Sequence, residues 1–109
     1  MRMNGPDALG RIGGYHAHVY FDDAARATAA RVRKALGENF TVELGRWHDR
    51  PIGPHPRAMY QVAFPPEEFA RIVPWLMLNR GDLTVLVHPE TGDAVADHGI
   101  HALWLGEVL

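Results

Sequence analysis

Tyr15-His16-Ala17-His18-Val19-Tyr20-Phe21 is a run of aromatic and β-branched residues closed by Asp22-Asp23, and it reads as a buried strand. Strand side chains alternate between faces, so Tyr15, Ala17, Val19 and Phe21 form one side, an apolar seat for a helix. His16, His18 and Tyr20 form the other. Two histidines at i and i+2 on one face offer imidazole to a metal ion or an acidic substrate; on a bare sheet face they would simply be solvated.

Upstream, residues 1–14 are Gly-rich and weakly patterned, and read as a flexible N-terminal arm. Downstream, Asp22 or Asp23 can cap a helix over residues 23–36. Ala25, Ala29, Val32 and Leu36 make its apolar stripe, Arg26, Arg31, Arg33 and Lys34 its solvated face, and Gly37 its stop. Phe40 to Leu44 predicts a second strand and Arg57 to Phe64 a third. Between them Gly45 to Pro56 holds three prolines and two glycines, the composition of a loop, yet carries Trp47, His48, Arg50 and His55. Prolines on both sides of His55 stiffen it. Pro65-Pro66-Glu67-Glu68 opens a second helix with stripe Phe69, Ile72, Val73 and Leu76, expected to kink or break at Pro74. Leu83 to His88 is a fourth strand, and His101 to Leu105 a closing edge strand.

Composition bounds the function. The chain has 109 residues, enough for one domain with its own core. It is 47% hydrophobic and 22% charged, with a formal net charge of −2 and no basic run, which argues against a nucleic-acid partner. It has no cysteine, so disulfides and thiolate metal sites are excluded and any metal falls to histidine and carboxylate. No apolar h-region opens the chain and no run reaches membrane-spanning length, so a soluble cytoplasmic protein is expected. Seven histidines stand out.

The order β-α-β-β-α-β, with a short C-terminal extension, is that of the ferredoxin-like α+β fold: one sheet with both helices on one face. The expected spatial strand order is 4-1-3-2, with strands one and three read as parallel neighbours. On that reading His16, His18, His55 and His88 converge at one end of the helix-free face, with Glu43 at the same corner. Imidazole and carboxylate without thiolate suit iron(II) or zinc. Glu43 is the candidate carboxylate of a two-His, one-carboxylate iron site; a salt bridge to Arg57 would instead occupy it. Three histidines would give a His-only site. His98, beside Asp97, is a candidate oriented acid/base, although adjacent residues seldom face each other. His48 and His101 read as loop and edge residues, Tyr20, Tyr60 and Trp104 as packing. Arg50 and Arg57 are surface residues that could grip a substrate carboxylate.

His16-Ala17-His18-Val19-Tyr20-Phe21, Gly45-Arg46-Trp47-His48, Gly53-Pro54-His55-Pro56 and His88-Pro89-Glu90-Thr91-Gly92-Asp93 together resemble the DOPA 4,5-dioxygenase family, as do Asp97-His98 and Leu103-Trp104-Leu105-Gly106. The resemblance runs from Tyr15 to the end, making residues 15–109 a single dioxygenase-type domain. It implies a ferredoxin-like homodimer that opens a catechol such as DOPA beside its hydroxyls with non-haem Fe(2+) and O₂, zinc being able to stand in for iron. It also implies a metal site at His16 or His18, His55 and His88. Geometry favours His18, His55 and His88 as ligands, with His16 and Glu43 as alternates; the mechanism that the resemblance implies would use His98 or His16 to move protons and Arg50 or Arg57 to receive an acidic group on the catechol. Two rival readings use the same residues: a small-molecule-binding module without catalysis, and a zinc enzyme on the same histidines.

Overall fold

The computed structural model describes residues 5–109 as one five-stranded antiparallel sheet with helices on both sides. The strands are β1 (Tyr15–Phe21), β2 (Glu43–Leu44), β3 (Ala58–Phe64), β4 (Thr84–Pro89) and β5 (Leu103–Leu105), in spatial order β2-β3-β1-β4-β5. The helices are α1 (Arg26–Asn39), α2 (Phe69–Asn79) and a single turn, α3 (Ala94–His98). The expected α+β ferredoxin-like architecture and the order 4-1-3-2 are present, with β5 added outside β4.

Alternation along β1 divides the interior as the sequence indicates. Ala17, Val19 and Phe21 join Tyr60, Val62, Phe64, Val85 and Val87 and the buried stripes Ala29, Val32, Leu36 and Ile72, Val73, Leu76 in one core. Tyr15 extends it by stacking on Phe64 and packing at a tilt against Phe69, and the Tyr60 hydroxyl donates to the Ala29 carbonyl. On the other face Tyr20, Met59 and Leu86 form a smaller cluster, edged by Ala102, Trp104 and Leu109. The four-residue row His88, His16, Ala63, Glu43 crosses this face in register.

One expectation about the sheet is overturned. β1 and β3 are antiparallel, Tyr15 opposite Phe64 and Phe21 opposite Ala58. The split βαβ unit requires this: β2 runs parallel to β1, and the strand inserted between them must oppose both. The start of β1 therefore meets the ends of β3 and β4, and His55, which precedes β3, begins at the far end of the sheet.

Local departures have local causes. Gly37 lies inside α1, which ends at Asn39; a Cβ there would come within 3.0 Å of Leu44 Cδ1, so the glycine permits close packing and is no stop. β2 is shorter than Phe40 to Leu44 because the Thr41 N–H is taken by the buried Glu68 carboxylate at 2.6 Å, away from β3. α2 runs unbroken through Pro74, whose ring lies on an exposed side while Ile72, Val73 and Leu76 hold the helix to the core. Strand three begins at Ala58 and strand four spans Thr84–Pro89. Of the stretch read as a loose arm, residues 1–4 lie outside the described residues; Pro6–Arg11 form a 3₁₀ helix, and Gly13 and Gly14 hydrogen-bond the Glu90 backbone. Among the described residues no helix is long and apolar enough to cross a membrane.

Candidate metal centre

Five imidazoles gather on the face that α1 and α2 leave open. His16 and His18 come from alternate positions of β1 and His88 from the end of β4, where His16 is its cross-strand neighbour. His55 arrives by a different route from the one expected. The loop 49–57 folds back over the sheet, bringing the His55 ring to 4.3 Å from His18 and its Nδ1 to 2.6 Å from the Tyr20 hydroxyl. His98, on α3, lies 4.1 Å from the His88 ring and 5.8 Å from His18, by ring centroids.

Hydrogen bonds fix most of the ring orientations. His88 Nδ1–H donates to the Pro89 carbonyl at 2.9 Å, and His98 Nδ1–H to the Ala94 carbonyl at 2.9 Å. A carbonyl can only accept, so in the neutral rings Nε2 carries the lone pair at both residues. His16 Nδ1 lies 3.1 Å from Glu90 Oε1, which also stands 3.5 Å from His88 Nδ1. His18 Nε2 is 3.0 Å from His88 Nε2. Since His88 Nε2 is an acceptor, the proton belongs to His18, and the His18 Nδ1 lone pair is left without a partner although the residue is only 2% exposed. A buried, unsatisfied imidazole nitrogen among further imidazoles is what a metal ion would satisfy.

The electrostatics favour the same chemistry. Burial, with the nearby His55, His88, His16 and His98, pushes His18 down to about 2. His55 and His88 are also held below the ordinary imidazole range, burial again being the largest cause. Metal binds the neutral ring, so His18, His55 and His88 are kept in their ligand form. Burial raises Tyr20 to about 12, so its hydroxyl keeps its proton beside His55.

Two sets of three histidines close tightly enough to share one ion: His16, His18 and His88, and His18, His55 and His98, each with ligand atoms within 4.8 Å of one another. His18 belongs to both. The trio His18, His55 and His88 expected from sequence is divided between them, and His98 stands inside the cluster as a full member of one set. Glu43 is exposed, two strands from His16 and in neither set. It does not pair with Arg57 either; the Arg57 guanidinium meets Glu107 at 3.1 Å. Arg50 is exposed on the 49–57 loop. Neither arginine lines the cavity of about 140 Å³ that borders the cluster, whose wall is Tyr20, Pro54, His55, Pro56, Leu86, His98, Trp104 and Leu109. Sequence reasoning missed two parts of the site: the Glu90 carboxylate beside His16 and His88, and the anchoring of Asp97, which faces Thr91 and His101. The His-Pro-Glu-Thr run held the signal for both.

The chain is similar to several known proteins. The Dopa 4,5-dioxygenase family model matches residues 15–109. A DOPA 4,5-dioxygenase of Amanita muscaria is 39% identical over 101 residues, covering 84% of this chain and 44% of the relative. An uncharacterised 21.2 kDa protein of Botryotinia fuckeliana is 38% identical over 112 residues, 89% of this chain and 60% of the relative. The chain thus spans 60% or less of the length of these curated relatives. A crystal structure from Nostoc punctiforme, of a protein whose assignment as a dioxygenase is itself only proposed, superimposes with a TM-score of 0.92 at 64% identity, covering 93% of this chain and 88% of that one.

Proposed function

The chain belongs to the DOPA 4,5-dioxygenase family, and from that premise we propose that it is a non-haem iron(II) enzyme that opens a catechol ring beside its two hydroxyls, placing both atoms of O₂ in the product. DOPA cleaved at its 4,5 bond is the reference substrate. The observation that carries the reading is the buried His18 Nδ1 with no partner at the middle of five imidazoles.

His18, His55 and His98 would hold the metal. His55 and His98 of this set line the small cavity, which His16 and His88 do not. The proposal thus moves His98 from proton transfer to ligation and His88 from ligation to support. Bound there, iron(II) supplies Lewis acidity to the catechol hydroxyls and a meeting point for ring and O₂. The chain does the rest. Tyr20 and the Ala94 carbonyl orient the His55 and His98 rings through Nδ1. Leu86 and Trp104 give the ring an apolar wall that excludes water. His16, half-buried and paired at Nδ1 with Glu90, is suited to hold or return a proton at the rim.

The donor set is all imidazole, which suits zinc as well as iron; this favours a zinc enzyme as the second reading. Anaerobic loading with iron(II), followed by O₂ uptake and visible absorbance with DOPA and simpler catechols, separates them. One O₂ consumed per catechol with a yellow ring-opened product is expected. Bound iron without uptake removes the dioxygenase reading for those substrates. Failure to bind iron or zinc leaves a binding module.

A further inference from the structure

α3 carries His98 into the cluster, yet little apolar packing seats it. Of its five residues only Asp97 is buried, at 2% exposure, while Val95 is 86% exposed. Asp97 turns away from the imidazoles and into the loop that leaves β4. Its Oδ2 accepts from the Thr91 N–H at 2.9 Å and its Oδ1 from the Thr91 hydroxyl at 2.6 Å. The same Oδ1 accepts from His101 Nδ1–H at 3.1 Å. One carboxylate thus ties Thr91, before α3, to His101, three residues beyond its end. Gly92, at φ +94, makes the reversal that lets Thr91 face back. Asp93 caps the turn separately by accepting from the Ala96 N–H.

We infer that Asp97 and Thr91 form a latch whose task is to position His98, the neighbour of Asp97 in the chain, against His18 and His55. The inference rests on the reading of His98 as a metal ligand. Asp97 and Thr91 are positioning residues that touch neither ion nor substrate. His98 Nδ1 bonds only within its own helical turn, to Ala94, so that bond fixes the ring relative to α3 and not relative to the sheet. The side-chain link from α3 to the loop that leaves β4 is the charge-assisted set on Asp97. Loosening it leaves two imidazoles, His18 and His55, for the ion.

The test compares Thr91→Val, which keeps the shape and removes the hydroxyl, with Thr91→Ser, which restores it, and with Asp97→Asn. Zinc and cobalt(II) affinity is measured by chelator competition, and the His98 imidazole is followed by ¹H–¹⁵N NMR in metal-free protein, alongside thermal stability. Thr91→Val and Asp97→Asn should each weaken metal binding about tenfold or more, in the range seen for groups supporting ligands. They should shift the His98 ring signals towards those of a solvated imidazole, and Thr91→Ser should recover both. Lower stability with unchanged affinity and unchanged His98 signals would overturn the latch. Should the wild-type protein bind neither metal, the proposed function fails, and the NMR comparison still decides the latch. Should Asp97→Asn not fold, the two Thr91 variants carry the decision.

Discussion

The Tyr20 hydroxyl and His55 Nδ1 lie 2.6 Å apart and tie the 49–57 loop to the middle of the sheet. Tyr20 is 2% exposed, so this is a bond with little competition from water. It explains how His55, attached at the far end of β3, reaches His18 at all. Register alone would leave it beyond Ala58, opposite Phe21.

Tyr20→Phe removes the bond and keeps the ring. The fold should persist, since the ring still packs on Met59, Leu86 and Trp104. Stability should drop by about 1 kcal/mol, the usual net contribution of one such bond, and zinc affinity should drop roughly tenfold because His55 loses its orienting partner. Chemical denaturation and metal competition on the same samples check both. Unchanged metal affinity would mean that the prolines flanking His55 fix the ring without Tyr20.

The metal-free protein should weaken as pH falls through the imidazole range. Unfolded His18 takes up a proton below 6.5, whereas folded His18, buried among imidazoles, does not until about 2. A folded pKa below the unfolded one means stability that is full above the unfolded value and is lost progressively as pH falls towards the folded one. His55 and His88, also lowered, add to the loss in the same direction. Melting temperatures from pH 8 down to about 5 should fall steadily, and His18→Leu should flatten the slope. A flat wild-type profile would show that the cluster admits protons freely. Saturating zinc should raise the whole curve, with its benefit shrinking in acid as protons compete for the rings.

The sheet and the histidine-bearing face were legible because both follow from period-two alternation. Once Ala17, Val19 and Phe21 seat the helices, His16, His18 and Tyr20 must look the other way. The rest depended on facts that alternation does not hold. Strand direction between β1 and β3 is a property of the whole topology, and reading it as parallel brought His55 to the right cluster for the wrong reason. The fold-back of the 49–57 loop is tertiary, visible in sequence only as prolines around a histidine. His98 was recognisable as chemistry but not as a neighbour of His88, because a five-residue helix with one buried side chain has no amphipathic stripe to orient it. Glu43 drew attention as a carboxylate near the corner, and the row His88-His16-Ala63-Glu43 does place it on the correct face. Its distance, two strands away, could be read only from the pairing.

That distance gives a discriminating set of substitutions. His18→Ala should abolish zinc and iron binding, because His18 belongs to both closed sets. His55→Ala and His98→Ala should do nearly the same, with affinity down a hundredfold or more, roughly the upper end seen for loss of supporting groups alone. Glu43→Gln should bind metal like the wild type, and His16→Ala should lose little. Metal content after dialysis, read by elemental analysis, checks each. Loss in His16→Ala and His88→Ala with retention in His55→Ala and His98→Ala would move the ion to the other set.

Trp104 offers the last handle, on substrate size. The cavity beside His55 and His98 holds about 140 Å³, below the ~300–1,000 Å³ typical of sites for drug-sized ligands, so it suits a single ring. Trp104 lines it and stacks on Tyr20 at 6.1 Å between centroids with planes 23° apart. Trp47 and Trp75 pack instead against the core under α1 and α2. A catechol entering the cavity should therefore quench Trp104 and leave Trp47 and Trp75, and Trp104→Leu should erase the quench. Losing the aromatic wall should weaken catechol binding by roughly 3- to 10-fold, the worth of one stacking contact, with metal content unchanged. Quenching that survives in Trp104→Leu would place the catechol elsewhere, with the groove of about 360 Å³ between His16, Glu43 and Glu90 as the next site to probe.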